Sequence, residues 1–150
     1  MGIYDPGPNG VPTGALACAT VEVEMPSFQQ MVEAARPNVR EISAAAAKDM
    51  VDAEPDALIL DVREDHEWAS GHIPGAVHVP LGQLDFQADP AGPRPNTELT
   101  ERTDKLIVAQ CHTGQRSILA ADLLQKLGYH NVVSMKGGIA GWARLGLPLD

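Results

Sequence analysis

Cysteine is a strong nucleophile once ionised, and one of the two cysteines in this 150-residue chain stands where ionisation would be favoured. The run is Cys111-His112-Thr113-Gly114-Gln115-Arg116-Ser117. Before it, Lys105–Ala109 is short, apolar and rich in strand formers; after it, Ser117–Gly128 sets apolar residues at helical spacing and stops at a glycine. The cysteine is thereby expected where a buried strand ends and a helix begins. Backbone N–H groups and the positive end of the helix dipole would converge on its sulfur. Such a setting favours the thiolate, and Arg116 adds a permanent positive charge within the loop. A cysteine by itself is more often packing than chemistry. The segment Cys111–Arg116, polar and containing Gly114, is poor core material, and its backbone donors need a partner. An anion is the natural one.

The elements around this loop alternate between strand and helix. Ala57–Val62 is apolar on both faces, as a central parallel strand should be. Arg63–Gly71 reads as a short helix ending at glycine, Ile73-Pro74-Gly75 as a turn, and Ala76–Val79 as a short strand. Leu81, Leu84 and Phe86 suit one further helical turn, and Asp89–Asn96, rich in Pro and Gly, a loop. Asn131–Met135 is the last strand and Gly137–Leu145 the last helix, with Trp142 as its core anchor. Upstream, Ser27 caps a helix bearing Phe28, Met31, Val32 and Ala35 that Pro37-Asn38 ends. Val39–Ile42 is a small strand, and Ser43 caps a helix to Val51 whose apolar face includes Ala47, Met50 and Val51. The pattern predicts a parallel α/β sheet, with a ligand site beyond the strand C-termini, where Cys111 falls.

Composition narrows the function classes. The length suits one domain with one core, and a hydrophobic content of 44% is ordinary for a globule. No apolar run approaches the roughly 20 residues that span a bilayer. A formal charge of −9 disfavours general binding to nucleic acid or anionic membranes. With Cys18 and Cys111 as the only cysteines, free thiols in a reducing, cytoplasmic compartment are expected. Met1–Gly14 lacks the basic start and apolar core of a secretory signal and is expected to be an irregular lead-in. Five scattered histidines, His66, His72, His78, His112 and His130, lack the ligand spacing of a metal site, and no cofactor is implied.

Asp61-Val62-Arg63, Glu67-Trp68, Gly71-His72-Ile73-Pro74-Gly75-Ala76, the Cys111–Ser117 loop, Gly137-Gly138-Ile139, Trp142 and Gly146-Leu147-Pro148 together resemble a single-domain rhodanese. The resemblance runs from Val39 to Leu149. It implies a rhodanese-like α/β fold, a five-stranded parallel sheet flanked by helices, over residues 39–150. Residues 26–38 would then be an accessory helix and residues 1–25 an irregular segment.

The resemblance also implies sulfur transfer through a Cys111 persulfide, from a small anionic donor such as thiosulfate to cyanide or a thiol. A sulfur-carrier protein is a further partner to consider, and a monomer is the default. Amides from His112 to Ser117 would stabilise the charged persulfide, and Arg116 would bind the anionic donor. Ser117 would donate a hydrogen bond, and the side chains of His112, Thr113 and Gln115 would line the loop. Asp61 and Arg63 are expected to brace neighbouring loops rather than react, with Glu67, Trp68 and His72 as scaffold.

Two rival functions fit less well. Cysteine phosphatases and arsenate reductases enclose a tetrahedral oxyanion in a loop one residue longer than the four residues between Cys111 and Arg116. A non-catalytic binding module of this kind would often lack the cysteine.

Overall fold

The computed structural model describes residues 25–150; the expectations for Met1–Gly14 and Cys18 lie outside the described residues. Five strands, β1 (Arg40–Ile42), β2 (Leu58–Asp61), β3 (Val77–His78), β4 (Ile107–Gln110) and β5 (Val132–Met135), form one sheet in the order β1-β5-β4-β2-β3. Every pairing is parallel. The three inner strands are buried at every residue, which is why their sequences are apolar runs without alternation. β4 lies at the centre, between β5 and β2.

Parallel strands need crossovers, and the helices supply the cover on both faces. They are α1 (Phe28–Ala35), α2 (Ala44–Ala53), α3 (Asp65–Ala69), α4 (Leu84–Gln87), α5 (Thr97–Thr100), α6 (Arg116–Lys126) and α7 (Gly138–Arg144). The period of two along each strand sorts side chains between two cores. Leu58, Leu60, Ile107, Ala109 and Cys111 pack with Leu84, Leu99, Ala120, Ala121 and Leu124. Ile59, Val108, Val133 and Met135 pack on the other face with Ala44, Ala47, Ile139 and Trp142. Truncating a fully buried residue such as Leu124 to alanine would cost about 2–5 kcal/mol. The thiol therefore stands at the rim of the first core.

Local capping sets where helices start. The Ser27 hydroxyl accepts from the Gln30 N–H, and the Ser43 hydroxyl from the Ala46 N–H. α3 begins two residues later than Arg63, its expected start, because Asp61 holds the Arg63 backbone and Glu64 forms a capping box with Glu67. Lys105–Ala109 was expected as the strand before the loop; the strand itself runs Ile107–Gln110 and carries pairing up to the residue before Cys111. α5, capped by Asn96, was not anticipated. Of the apolar face expected on α1, Val32 and Ala35 are buried against Ile118 of α6, whereas Phe28 and Met31 lie about half exposed at the rim of that contact. Among the described residues no helix is long and apolar enough to cross a membrane.

Candidate active site

Cys111 is the first residue beyond β4, and α6 begins at Arg116. The thiol is 1% exposed, yet it does not point into hydrocarbon alone. Its Sγ accepts the Gly114 N–H at 3.1 Å and lies 3.6 Å from the Ser117 Oγ. The Ser117 Oγ in turn lies 2.8 Å from the Ser134 Oγ on β5, so a buried hydroxyl chain ends on the sulfur. Of the amides expected to converge there, Gly114's is the one within hydrogen-bond reach of Sγ.

The loop's curl has an identifiable cause. Gly114 has φ +97°, and a Cβ there would stand 3.0 Å from the Gly137 N and 3.2 Å from the Met135 O. The start of α7 grips the loop from outside: the Ile139 N–H donates to the Cys111 carbonyl at 2.8 Å and the Ala140 N–H to the His112 carbonyl at 3.1 Å. A Cβ on Gly138 would fall 2.3 Å from that Cys111 oxygen, an impossible contact. The Gly137-Gly138-Ile139 run thus ties down the carbonyls, leaving the Gly114 amide turned to the sulfur. The side chains of His112 and Thr113 are exposed, and that of Gln115 is half-buried.

Arg116 differs from expectation. Rather than standing free for an anion, its Nη1 and Nη2 donate to the two carboxylate oxygens of Glu67 at 2.6 and 2.9 Å. The hydrogen bond from Arg116 holds the Glu67 carboxyl down to about 2, against the opposing effect of burial. The same hydrogen bond raises Arg116 above its ordinary value, and the charge of Cys111 acts in the same direction, which puts the guanidinium within electrostatic reach of the sulfur. Glu67 was expected as scaffold; its partner is the loop's own cation.

Asp61 and Arg63 do brace a neighbouring turn. Asp61 accepts from the Arg63 N–H, Nε and Nη2, and Nη2 also donates to the Gly71 carbonyl at 2.8 Å. α3 is held further by stacking: the Trp68 ring lies 3.6 Å from that of His72 and 4.8 Å from that of His78, nearly parallel to both. The His78 Nε2 donates to the Arg63 carbonyl at 2.8 Å, because a carbonyl can only accept. These contacts fix the helix that carries Glu67. Trp142, 2% exposed, donates its Nε1–H to the Pro148 carbonyl and anchors α7.

Sequence reasoning missed two residues. Ser134 interrupts an otherwise apolar buried strand, a signal that was open to reading. Gln110, adjacent to Cys111, is fully buried with no hydrogen-bond partner for its amide.

The model of the rhodanese-like domain family matches residues 43–145. A sulfurtransferase of Allochromatium vinosum is 32% identical over 111 residues, covering 74% of this chain and 94% of that protein. The thiosulfate sulfurtransferase GlpE of Haemophilus influenzae is 33% identical, with the same coverage. A Bacillus subtilis protein provisionally named sulfur carrier protein YrkF is 38% identical over 70% of this chain, which spans 51% of its length. Among solved structures, a Rhodopseudomonas palustris protein of unknown function, described as a possible tyrosine phosphatase, superposes with TM-score 0.78 at 29% identity. That match covers 86% of this chain and 98% of the other. A thiosulfate sulfurtransferase from Pseudomonas aeruginosa gives TM-score 0.65 at 27% identity, over 80% of this chain and 21% of that one.

Proposed function

Since the chain belongs to the rhodanese-like sulfurtransferase family, we propose that it moves sulfane sulfur from a donor to a thiophilic acceptor through a persulfide on Cys111. The observation that carries this reading is the Gly114 N–H donated to Cys111 Sγ at 3.1 Å, in a tight loop between β4 and α6. An amide aimed at sulfur stabilises negative charge whether the sulfur is a thiolate or the inner atom of a persulfide. The Ser117 Oγ, 2.8 Å from the Ser134 Oγ, accepts from the Cys111 thiol at 3.6 Å, and once the sulfur is ionised that hydroxyl can turn to donate to it.

In the first step the Cys111 thiolate attacks the outer sulfur of the donor. A new S–S bond forms, the donor's own bond to that sulfur breaks, and the leaving group departs with the electron pair: sulfite from thiosulfate, a thiolate from an organic persulfide. In the second step cyanide or an acceptor thiolate attacks the outer sulfur of the persulfide, and Cys111 leaves as the thiolate. A covalent carrier divides one hard displacement into two easier ones. Residues 39–150 would form the catalytic domain, with residues 26–38 as an accessory helix against α6. His112, Thr113 and Gln115 would present their side chains to whatever docks over the loop.

The resemblance to a structure described as a possible tyrosine phosphatase keeps phosphate-ester hydrolysis as a second reading. The loop argues against it. Four residues between Cys111 and Arg116 give a small ring, and Arg116 is already joined to a carboxylate. A direct assay separates the readings: sulfane-sulfur transfer to cyanide should be abolished by Cys111→Ser, and para-nitrophenyl phosphate should not be turned over. Cys111-dependent phosphatase turnover without sulfur transfer would reverse the assignment.

A further inference from the structure

The charges at the mouth of the site do not suit a dianionic donor. Arg116, the cation within reach of the sulfur, spends both terminal nitrogens on Glu67. Glu64 adds a second negative charge whose field also reaches Arg116. The other cation beside the loop is Lys136, whose backbone lies against Gly114 and whose side chain is exposed. Two positive and two negative charges therefore cancel, Arg63, whose field reaches Glu67, is offset by its partner Asp61, and His112 adds a further positive charge only when protonated. The chain as a whole carries −9, so no distant field replaces the missing attraction. Glu67 is no loose surface acid: α3 is pinned by the Trp68 stack, and the Glu67 side chain also accepts the Glu64 N–H at 3.1 Å. The cancellation is built into the fold.

We infer that Glu67 sets donor selectivity at this site, disfavouring thiosulfate and favouring a persulfide carried by an uncharged organic thiol. The inference rests on the sulfurtransferase reading above and adds the class of donor. A persulfide on an uncharged carrier bears at most one negative charge, so it needs less help from a cation than a dianion does: the Cys111 thiolate bonds to its outer sulfur, the inner sulfur leaves as a thiolate, and any proton on the outer sulfur stays with it or passes to water. Arg116, held by Glu67, then meets the negative charge that develops on the leaving thiolate rather than one already present in the ground state. Thiosulfate would have to approach Glu67 closely or displace it from Arg116.

The test compares kcat/KM for thiosulfate and for 2-hydroxyethyl persulfide, with one common acceptor, in the wild-type chain and in Glu67→Gln. The single amide oxygen of glutamine can keep the contacts to the Arg116 Nη1 and the Glu64 N–H, so the variant removes the charge at the loss of the Arg116 Nη2 contact. The thiosulfate-to-persulfide ratio should rise about tenfold on losing one negative charge close to a dianion. A ratio unchanged within about twofold, or both donors falling together, would show that Glu67 only positions Arg116 and would overturn the inference. Salt supplies a check that needs no variant. Wild-type kcat/KM for thiosulfate should stay level or rise between about 20 and 200 mM KCl, whereas a steep fall would reveal an attractive mouth and refute the proposed selectivity. Transfer from neither donor, or transfer that persists in Cys111→Ser, would instead remove the sulfurtransferase reading itself, and the selectivity with it.

Discussion

Arg63 and Arg116 each present a guanidinium to a carboxylate at the C-terminal side of the sheet, with paired hydrogen bonds of similar length. Their surroundings differ. The Asp61 and Arg63 side chains are 0% and 6% exposed, and Arg63 spends a further donor on the Gly71 carbonyl. Those of Glu67 and Arg116 are 22% and 27% exposed and stand beside the Cys111 loop. A closed pair has no capacity left for a ligand, so its work is to hold the chain. An open pair can still exchange partners or lend its field. The same chemistry thus gives a brace at the end of β2 and an adjustable element beside the end of β4.

That contrast predicts different costs. Asp61→Ala leaves Arg63 buried and uncompensated, which should cost about 3–5 kcal/mol in denaturant unfolding. A loss below about 1 kcal/mol would erase the distinction between the pairs. The Glu67–Arg116 pair should be worth about 1 kcal/mol, the upper end for a partly exposed ion pair, and its contribution should depend on pH. Because the Glu67 carboxyl is lowered from 4.5 to about 2, its stabilisation is fully present above 4.5 and is lost as pH falls toward 2. The stability gap between wild type and Glu67→Gln should therefore narrow across that window, and a gap that stays constant would count against the pair. The smallest effect concerns Gln110. With no partner for its buried amide, Gln110→Met should be neutral or stabilise the fold by up to about 1 kcal/mol, and a clear loss would reveal a role for the amide.

Much of the fold was readable because the inner strands are largely apolar runs and the helices carry caps such as Ser27 and Ser43. The placement of Cys111 between a strand and a helix was readable from the change of pattern on either side of it. What stayed hidden is whatever depends on side chains meeting across long sequence separations. Glu67 and Arg116 lie 49 residues apart, and no local pattern says that the loop's cation is already neutralised. The Ser117–Ser134 contact is of the same kind: Ser134 stands out as a polar residue in a buried strand, but its partner is evident only once β5 is placed beside β4. The glycines of Gly137-Gly138-Ile139 were recognised as a family motif. Their reason, a close approach to the Cys111 carbonyl, is visible only in the folded chain. Phe28 and Met31 erred the other way: helical spacing marks an apolar face, but not how far its neighbour extends.

The central claim is that the loop around Cys111 carries a sulfur atom, and intact-protein mass spectrometry after brief exposure to a sulfur donor tests it most directly. The account predicts a gain of about 32 Da on the wild-type chain, lost on adding cyanide or excess thiol and absent from Cys111→Ser. A wild-type mass that no sulfane donor shifts, or the same gain in the serine variant, would contradict it.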